Sequence, residues 1–367
     1  MNAMSSRDRF LAHMSFEPVD RPPLREWGPW TQTRQRWAAE GMPESGPPQF
    51  AECDAWHDMG IDFGPWPRYD ESVVAEDEDS VTHYTHKGVL VRERRERELS
   101  MPAFLQYPVT DRASWEAYRE RYDPTSPQRY SADFAARARQ AREQGCLVQL
   151  SGGRETSFFG HLREIMGAEE AMIILHDDPQ LVHEIMDFLA DFMVGIYEEA
   201  LAQFVPDLAY LWEDMCYHTA SLISPAMFRE FLLPGYQKVC GALKGLGVAF
   251  IAVDSDGYTG ELNPLWLEGG VDIIYPFEVA AHNDVVELRA QYGKRLGMMG
   301  GLDKRVLAAG PEAIDAELER KLPVALAGGY IPTIDHSLPP DIPYANFCYY
   351  WERKKALLGI GTPAGRS

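Results

Sequence analysis

Cysteine is scarce: the 367-residue chain has five, at positions 53, 146, 216, 240 and 348, and no C-x-x-C pair. An odd and dispersed set excludes a disulfide scaffold and a thiolate metal cluster, and it fits a reducing compartment. Basic charge is also short, with 35 Lys and Arg against 56 Asp and Glu and a net charge of −21. Nucleic acid and anionic membranes are poor partners for such a chain, because phosphate contacts need a basic face. The one basic run, Arg92-Glu-Arg-Arg-Glu-Arg97, is interleaved with glutamate and reads as a solvated strand face. No apolar run approaches the roughly 20 residues that span a bilayer. The opening MNAMSSRDRF lacks the apolar core of a signal peptide, so the expected location is the cytoplasm. No G-x-G-x-x-G follows an apolar run, which leaves a dinucleotide fold without its fingerprint.

What the sequence does have is rhythm. Residues 5–14 predict a short helix capped by Ser5 or Ser6, and Pro18, Pro22 and Pro23 hold the next segment extended. Between Val73 and Arg94 the runs VVAE, VTHYT and VLVRE, parted by turn chemistry, predict a hairpin or small antiparallel sheet. From about Gly145, short apolar runs alternate with segments of helical period: LVQL, LAYLW, VAFIAV, VDIIYPF, RLGMMG and YIPTI. Asp178-Pro179 and Ser224-Pro225 are good helix starts, with a capping side chain followed by proline in the first turn. Alternation of this kind implies a parallel sheet buried on both faces. With one or two more strands in residues 20–66, the count reaches the eight of a closed (β/α)8 TIM barrel. The expected organisation is one α/β domain over 1–367. Residues 1–144 supply an N-terminal elaboration with the β-hairpin and the first strands, and 145–355 form the barrel core.

Polar residues collect where these strands end. LVQL leads to Arg154, LAYLW to Glu213 and Asp214, VAFIAV to Asp254 and Asp256, and VDIIYPF to Glu278. RLGMMGG leads to Asp303, Lys304 and Arg305, and YIPTI to Asp335 and His336. In a barrel these ends converge on the catalytic face. Asp303 fits equally as a helix cap. Glu213 and Asp214 are adjacent and cannot both point inward from a regular strand, so at least one is structural or solvated. Asp254 and Asp256 share a face at i, i+2, and paired carboxylates need a cation, a metal or a shared proton. With aromatics nearby, among them Tyr217, such a face suits a metal, a cationic substrate, or acid–base chemistry with one carboxylate protonated.

Several segments resemble the uroporphyrinogen decarboxylase superfamily, which includes cobamide-dependent methyltransferases acting on coenzyme M. MMGGLDKRVLAAG (298–310) looks like its "GNLDP"-type strand and helix start. YIPTIDHSLPPDIPYANF (330–347) is similar to its last strand and the loop after it. WEDMCYHTASLISPAMFREFLLPGY (212–236) matches its polar strand end and following helix, and SSRDRFLAHMSFEPVDRPP (5–23) is similar to the opening of the methyltransferase branch. The resemblance implies a (β/α)8 barrel and two activities. The decarboxylases carry an R-Q-A-G-R-Y element that holds substrate propionates, whereas residues 25–37 here read REWGPWTQTRQRW, from which that element is read as absent. The methyltransferases carry an H-x-C and a later Cys that bind zinc. Here those places read Asp254-Ser-Asp256 and Asp335-His336.

The resemblance therefore implies a metal-assisted methyltransferase in corrinoid-dependent transfer. A Zn2+ or similar ion would sit on Asp254, Asp256 and His336, with a corrinoid supplied by a partner protein. Glu213, Asp214, Asp256 and His336 are the expected catalytic residues, and Arg154, Tyr217, Glu278 and Asp303 the expected substrate contacts. The rivals are a carboxy-lyase, in which the aspartates share a proton or bond pyrrole N–H groups, and a non-catalytic tetrapyrrole binder. Trp27, Trp30, Trp37, Trp56 and Trp66 either cover one end of the barrel or form a homodimer contact.

Overall fold

Each of the six apolar runs forms a strand in the computed structural model, which describes residues 3–95 and 101–360. In chain order the strands are β1 (Trp56–Asp58), β2 (Ser72–Glu76), β3 (Ser80–Tyr84), β4 (Leu90–Arg94), β5 (Ala103–Gln106) and β6 (Leu147–Ser151). They continue with β7 (Leu208–Trp212), β8 (Phe250–Asp254), β9 (Ile273–Tyr275), β10 (Gly297–Leu302) and β11 (Tyr330–Ile334). One parallel sheet runs β1-β6-β7-β8-β9-β10-β11 with helices between its strands, and β2 to β5 form a separate antiparallel sheet. The helix starts behave as their chemistry predicts. Ser5, Asp178 and Ser224 accept from the backbone N–H groups of Asp8, Leu181 and Met227.

The expectation of a closed eight-stranded barrel needs correction: the parallel sheet has seven strands and curls without closing. Between β11 and β1 runs the segment 22–30, where Pro22, Pro23 and Pro29 lack the N–H groups a ladder requires. Side chains and isolated contacts fill this seam. Leu24 and Asp54 exchange backbone and carboxylate bonds, and Gly28 and Trp30 meet Leu338. Glu26 takes the place of a strand's carbonyls. Its Oε1 accepts from Ile334 N–H at 2.9 Å, and its Oε2 accepts from Tyr350 Oη and from Lys354 Nζ at 2.8 Å.

The N-terminal helix Ser6–Met14 closes the opposite end. Phe10 and Met14 pack into the barrel interior with Leu147, Leu208, Ile273 and Met299. Only the C-terminal strand ends remain open, which is where the polar residues collect. The expected hairpin is larger than three strands, since AFLQ at 103–106 adds an edge strand, and its β3–β4 turn brings Lys87 into an ion pair with Glu155 just beyond β6. In the basic run, Arg92 and Arg95 pair with Asp77 and Glu76 on this sheet, while Glu96 and Arg97 lie outside the described residues. Most of the N-terminal tryptophans are absorbed within the chain: Trp37 stacks on Phe347 at 4.7 Å and Trp56 packs edge-on against Phe10. Trp30 stays 46% exposed. Among the described residues no helix is long and apolar enough to cross a membrane.

The Glu26–Lys354 pair has no side-chain exposure at all. Lys354→Met therefore leaves a buried carboxylate without its cation, a loss of about 3–5 kcal/mol. Urea denaturation of the variant checks this.

Candidate active site

Strand geometry sets the aspartates. Asp254 ends β8 beside Trp212 of β7 and Tyr275 of β9, and Asp256 follows one residue past the buried Ser255. As their spacing predicts, Asp256 is close enough to act on Asp254. Burial raises Asp254 well above the carboxylate range, and Asp256 and Asp214 push it further. Its carboxylate accepts no hydrogen bond from the described residues. Asp256 instead faces His336, with Nε2 to Oδ2 at 3.5 Å. That contact raises the imidazole above its ordinary value.

Glu213 and Asp214 take opposite roles. Glu213 is fully buried and clamps the start of the helix Phe159–Met166: Oε1 accepts from Phe158 N–H and Tyr236 Oη, and Oε2 from Gly160 N–H. Burial raises its carboxyl, partly offset by those donors. Asp214 sits in a left-handed conformation, φ +53°, which turns its side chain toward the arginines of the mouth. Arg154 and Arg163 donate to its Oδ2 at 3.2 and 3.0 Å. Arg154 also bonds Glu164 and lies 4.6 Å over the Trp212 ring.

Of the remaining expected contacts, Glu278 is at the mouth, accepting from Gly257 N–H and pairing with Lys304 at 3.2 Å. Asp303 takes the cap role: it accepts from Arg305 N–H and holds the Arg305 guanidinium in two bonds. Asp335 is buried and ties two loops by accepting from Val279 and Lys304 N–H. Tyr217 is 70% exposed, its place fixed by backbone bonds to Ala220 and Tyr258 while the ring faces solvent. One further strand-end acid, Asp58, bonds Gly60 N–H and the Gln149 amide. Its three-residue strand is too short to read from the sequence.

The largest omission from the sequence reading is the seam segment. Trp27 lies nearly parallel to Tyr275 (5.0 Å, 11°) and to His336 (6.1 Å, 12°), and Tyr275 meets Tyr210 edge-on at 5.7 Å. Arg25 lies 3.8 Å over the Trp56 ring and joins no ion pair among the described residues. A cavity of about 240 Å³ opens here, lined by Arg25, Trp27, Tyr275, Met299, Ile331 and Thr333. A larger groove of about 970 Å³, beside Ser80, Arg92 and Met101, lies wholly on the small sheet. Asp254 pairs with Tyr275 across β8 and β9, and Arg25 lines the cavity with Tyr275, so both charges act on that ring and on Tyr210. The sequence held a signal for this segment: Arg25-Glu-Trp-Gly28 keeps the first arginine and the glycine of R-Q-A-G-R-Y, with Trp27 and Pro29 replacing an alanine and the second arginine. Gly300 helps to seat Tyr275. At φ +96° it passes so close to the Pro276 carbonyl that a Cβ would lie 1.9 Å from the oxygen.

A metal on Asp254, Asp256 and His336 was expected. Among the described residues no three His, Cys, Asp or Glu side chains converge to hold an ion. Asp256 and His336 meet one another, while Asp254 stands apart at the strand end beside the tyrosines. The donor set therefore does not fit a three-ligand site in this arrangement.

Two substitutions separate structural from chemical acids. Glu213→Ala orphans two backbone donors and a phenol, and its unfolding free energy falls by about 3 kcal/mol or more in denaturant titration. Asp254→Asn acts in the opposite direction. Asp254 keeps its proton in the folded state above the pH at which the unfolded chain releases it, so the wild type loses stability as pH rises through the unfolded carboxylate range. The asparagine variant is consequently more stable than wild type at neutral pH and loses that advantage below about pH 4, as thermal melts across pH will show.

A family model described as "Uroporphyrinogen decarboxylase (URO-D)" matches residues 96–356. The uroporphyrinogen decarboxylase of Rhodococcus erythropolis is 30% identical over 184 residues, and that match covers 47% of this chain and 48% of the relative, about half its length. The uroporphyrinogen decarboxylase of a Nostoc species is 25% identical over 97% of this chain and 99% of its own. Among solved structures, a methyltransferase from Methanosarcina mazei shares the fold with a TM-score of 0.61, at 14% identity over 97% of this chain and 98% of that one. With the model match spanning most of the sequence and the strand-end site in place, the chain belongs to the uroporphyrinogen decarboxylase family of enzymes.

Proposed function

We propose that this chain is a carboxy-lyase in which Asp254 is the general acid. The observation that carries the reading is a half-buried carboxyl group beside Tyr275 that accepts no hydrogen bond from the described residues, with Arg25, which joins no ion pair among them, lining a cavity with the same tyrosine. A substrate ring lies against the Trp27 and Tyr275 aromatic surface, and Arg25 holds a carboxylate that is retained. The departing carboxylate faces Asp254, Asp256 and Asp214. Asp254 is protonated there, and the negative field of Asp256 and Asp214 favours loss of the carboxylate as neutral CO2. The C–C bond breaks, its electron pair remains on the ring-side carbon, and that carbon takes the Asp254 proton. Water then reprotonates Asp254.

A second reading, methyl transfer with a corrinoid protein as partner, has the Asp256–His336 pair in its favour. These oxygen and nitrogen donors lie where the resemblance implies zinc ligands. That reading expects a divalent metal at near-equal ratio in protein purified without chelator, and loss of the metal in His336→Ala.

The decisive assay measures CO2 release from candidate ring-bearing acids. Asp254→Asn is expected to lower kcat by roughly 10²–10⁴-fold while leaving substrate binding intact. Burial and the neighbouring carboxylates hold Asp254 protonated above the usual carboxylate range, so wild-type activity falls as pH rises through its elevated pKa. No CO2 from any such acid, together with methyl transfer to free cobalamin, rejects the carboxy-lyase assignment.

A further inference from the structure

Charge pairing at the mouth limits what the site can hold. Arg154 and Arg163 are taken by Asp214 and Glu164, Lys304 by Glu278, Lys87 by Glu155 and His336 by Asp256. Among the described residues Arg25 is the one cation lining the cavity, and it joins no ion pair with any of them. A macrocycle bearing many carboxylates needs several free cations, and breaking these pairs to supply them strands the chain's own acids.

Space points the same way. Trp27 and Tyr275 stand in the wall of this cavity, and the space they leave is about 240 Å³. Pockets for drug-sized ligands run to about 300–1,000 Å³. The indole N–H of Trp27 is buried without an acceptor, an unmet donor in the wall beside Arg25.

Resting on the carboxy-lyase reading, we infer that the substrate is a small acid with a single flat ring and one or two carboxylates, and that Trp27 is the residue setting this limit. Its indole is the platform for one ring and the barrier to a larger assembly.

The test is equilibrium binding, read without turnover, using isophthalate as the single-ring probe and uroporphyrin as the large multi-carboxylate probe. Wild type is expected to bind isophthalate and to retain no uroporphyrin. Trp27→Ala is expected to weaken isophthalate by about tenfold, Trp27→Phe to stay within about threefold of wild type, and Arg25→Gln to lose at least about tenfold. The phenylalanine variant keeps the stack, so it separates loss of the platform from loss of the fold. Uroporphyrin bound by wild type, isophthalate left unbound, or Trp27→Ala binding isophthalate as wild type does each overturn the inference. Failure of the underlying reading looks different. Trp27-dependent binding with no CO2 from any single-ring acid rejects decarboxylation and leaves the size limit standing. Turnover of uroporphyrinogen by wild type does the reverse.

Discussion

The Glu26 carboxylate is the contact on which the site depends. A curled seven-stranded sheet leaves a seam between β11 and β1, and a proline-rich segment crosses it with only isolated backbone bonds, to Asp54 and Leu338. One buried acid closes it instead, bonding Ile334 N–H, Tyr350 Oη and Lys354 Nζ together. Its neighbours on either side are Arg25 and Trp27. The bonds that secure the barrel therefore also aim a guanidinium and an indole into its mouth, and a fault in the seam reaches the chemistry directly.

Electrostatic accounting at the mouth explains how so acidic a chain builds a usable site. Most strand-end carboxylates are committed: Glu213 to a helix start, Asp303 to a cap, Asp335 to two loops, and Asp214, Asp256 and Glu278 to cations. Each commitment fixes a loop that a sheet with short strands would otherwise leave loose. Among the described residues Asp254 has neither an ion-pair partner nor a hydrogen bond, and burial then favours its neutral form. That acid lies beside Tyr275, and Arg25, unpaired among the described residues, lines a cavity with the same ring; the proposed chemistry needs little more.

Much of this was legible in the sequence. Apolar runs of four to seven residues between helical segments located the strands from β6 onward, and polar residues at their ends located the face, because a parallel sheet forces both patterns. The i, i+2 spacing of Asp254 and Asp256 announced the repulsion that Asp254 feels from Asp256. What could not be read lies where regular geometry stops. Glu213 and Asp214 are told apart by a left-handed backbone turn at a residue other than glycine. Tyr217 faces solvent because its loop, bonded through its backbone, turns the ring outward. Arg25 and Trp27 stand on a segment with no period at all, and only their tertiary partners give them a place. Closure of the barrel was overestimated for the same reason, since alternation counts strands but does not report which edges have N–H groups to pair.

Infrared difference spectroscopy of wild type minus Asp254→Asn at neutral pH tests the central claim most directly. A protonated carboxyl has a C=O stretch well separated from that of a carboxylate, and the subtraction removes the other buried acids. The account predicts a protonated band present in wild type, absent in the variant, and disappearing as pH is raised. A carboxylate band for Asp254 at neutral pH would contradict it, because an ionised Asp254 has no proton to give.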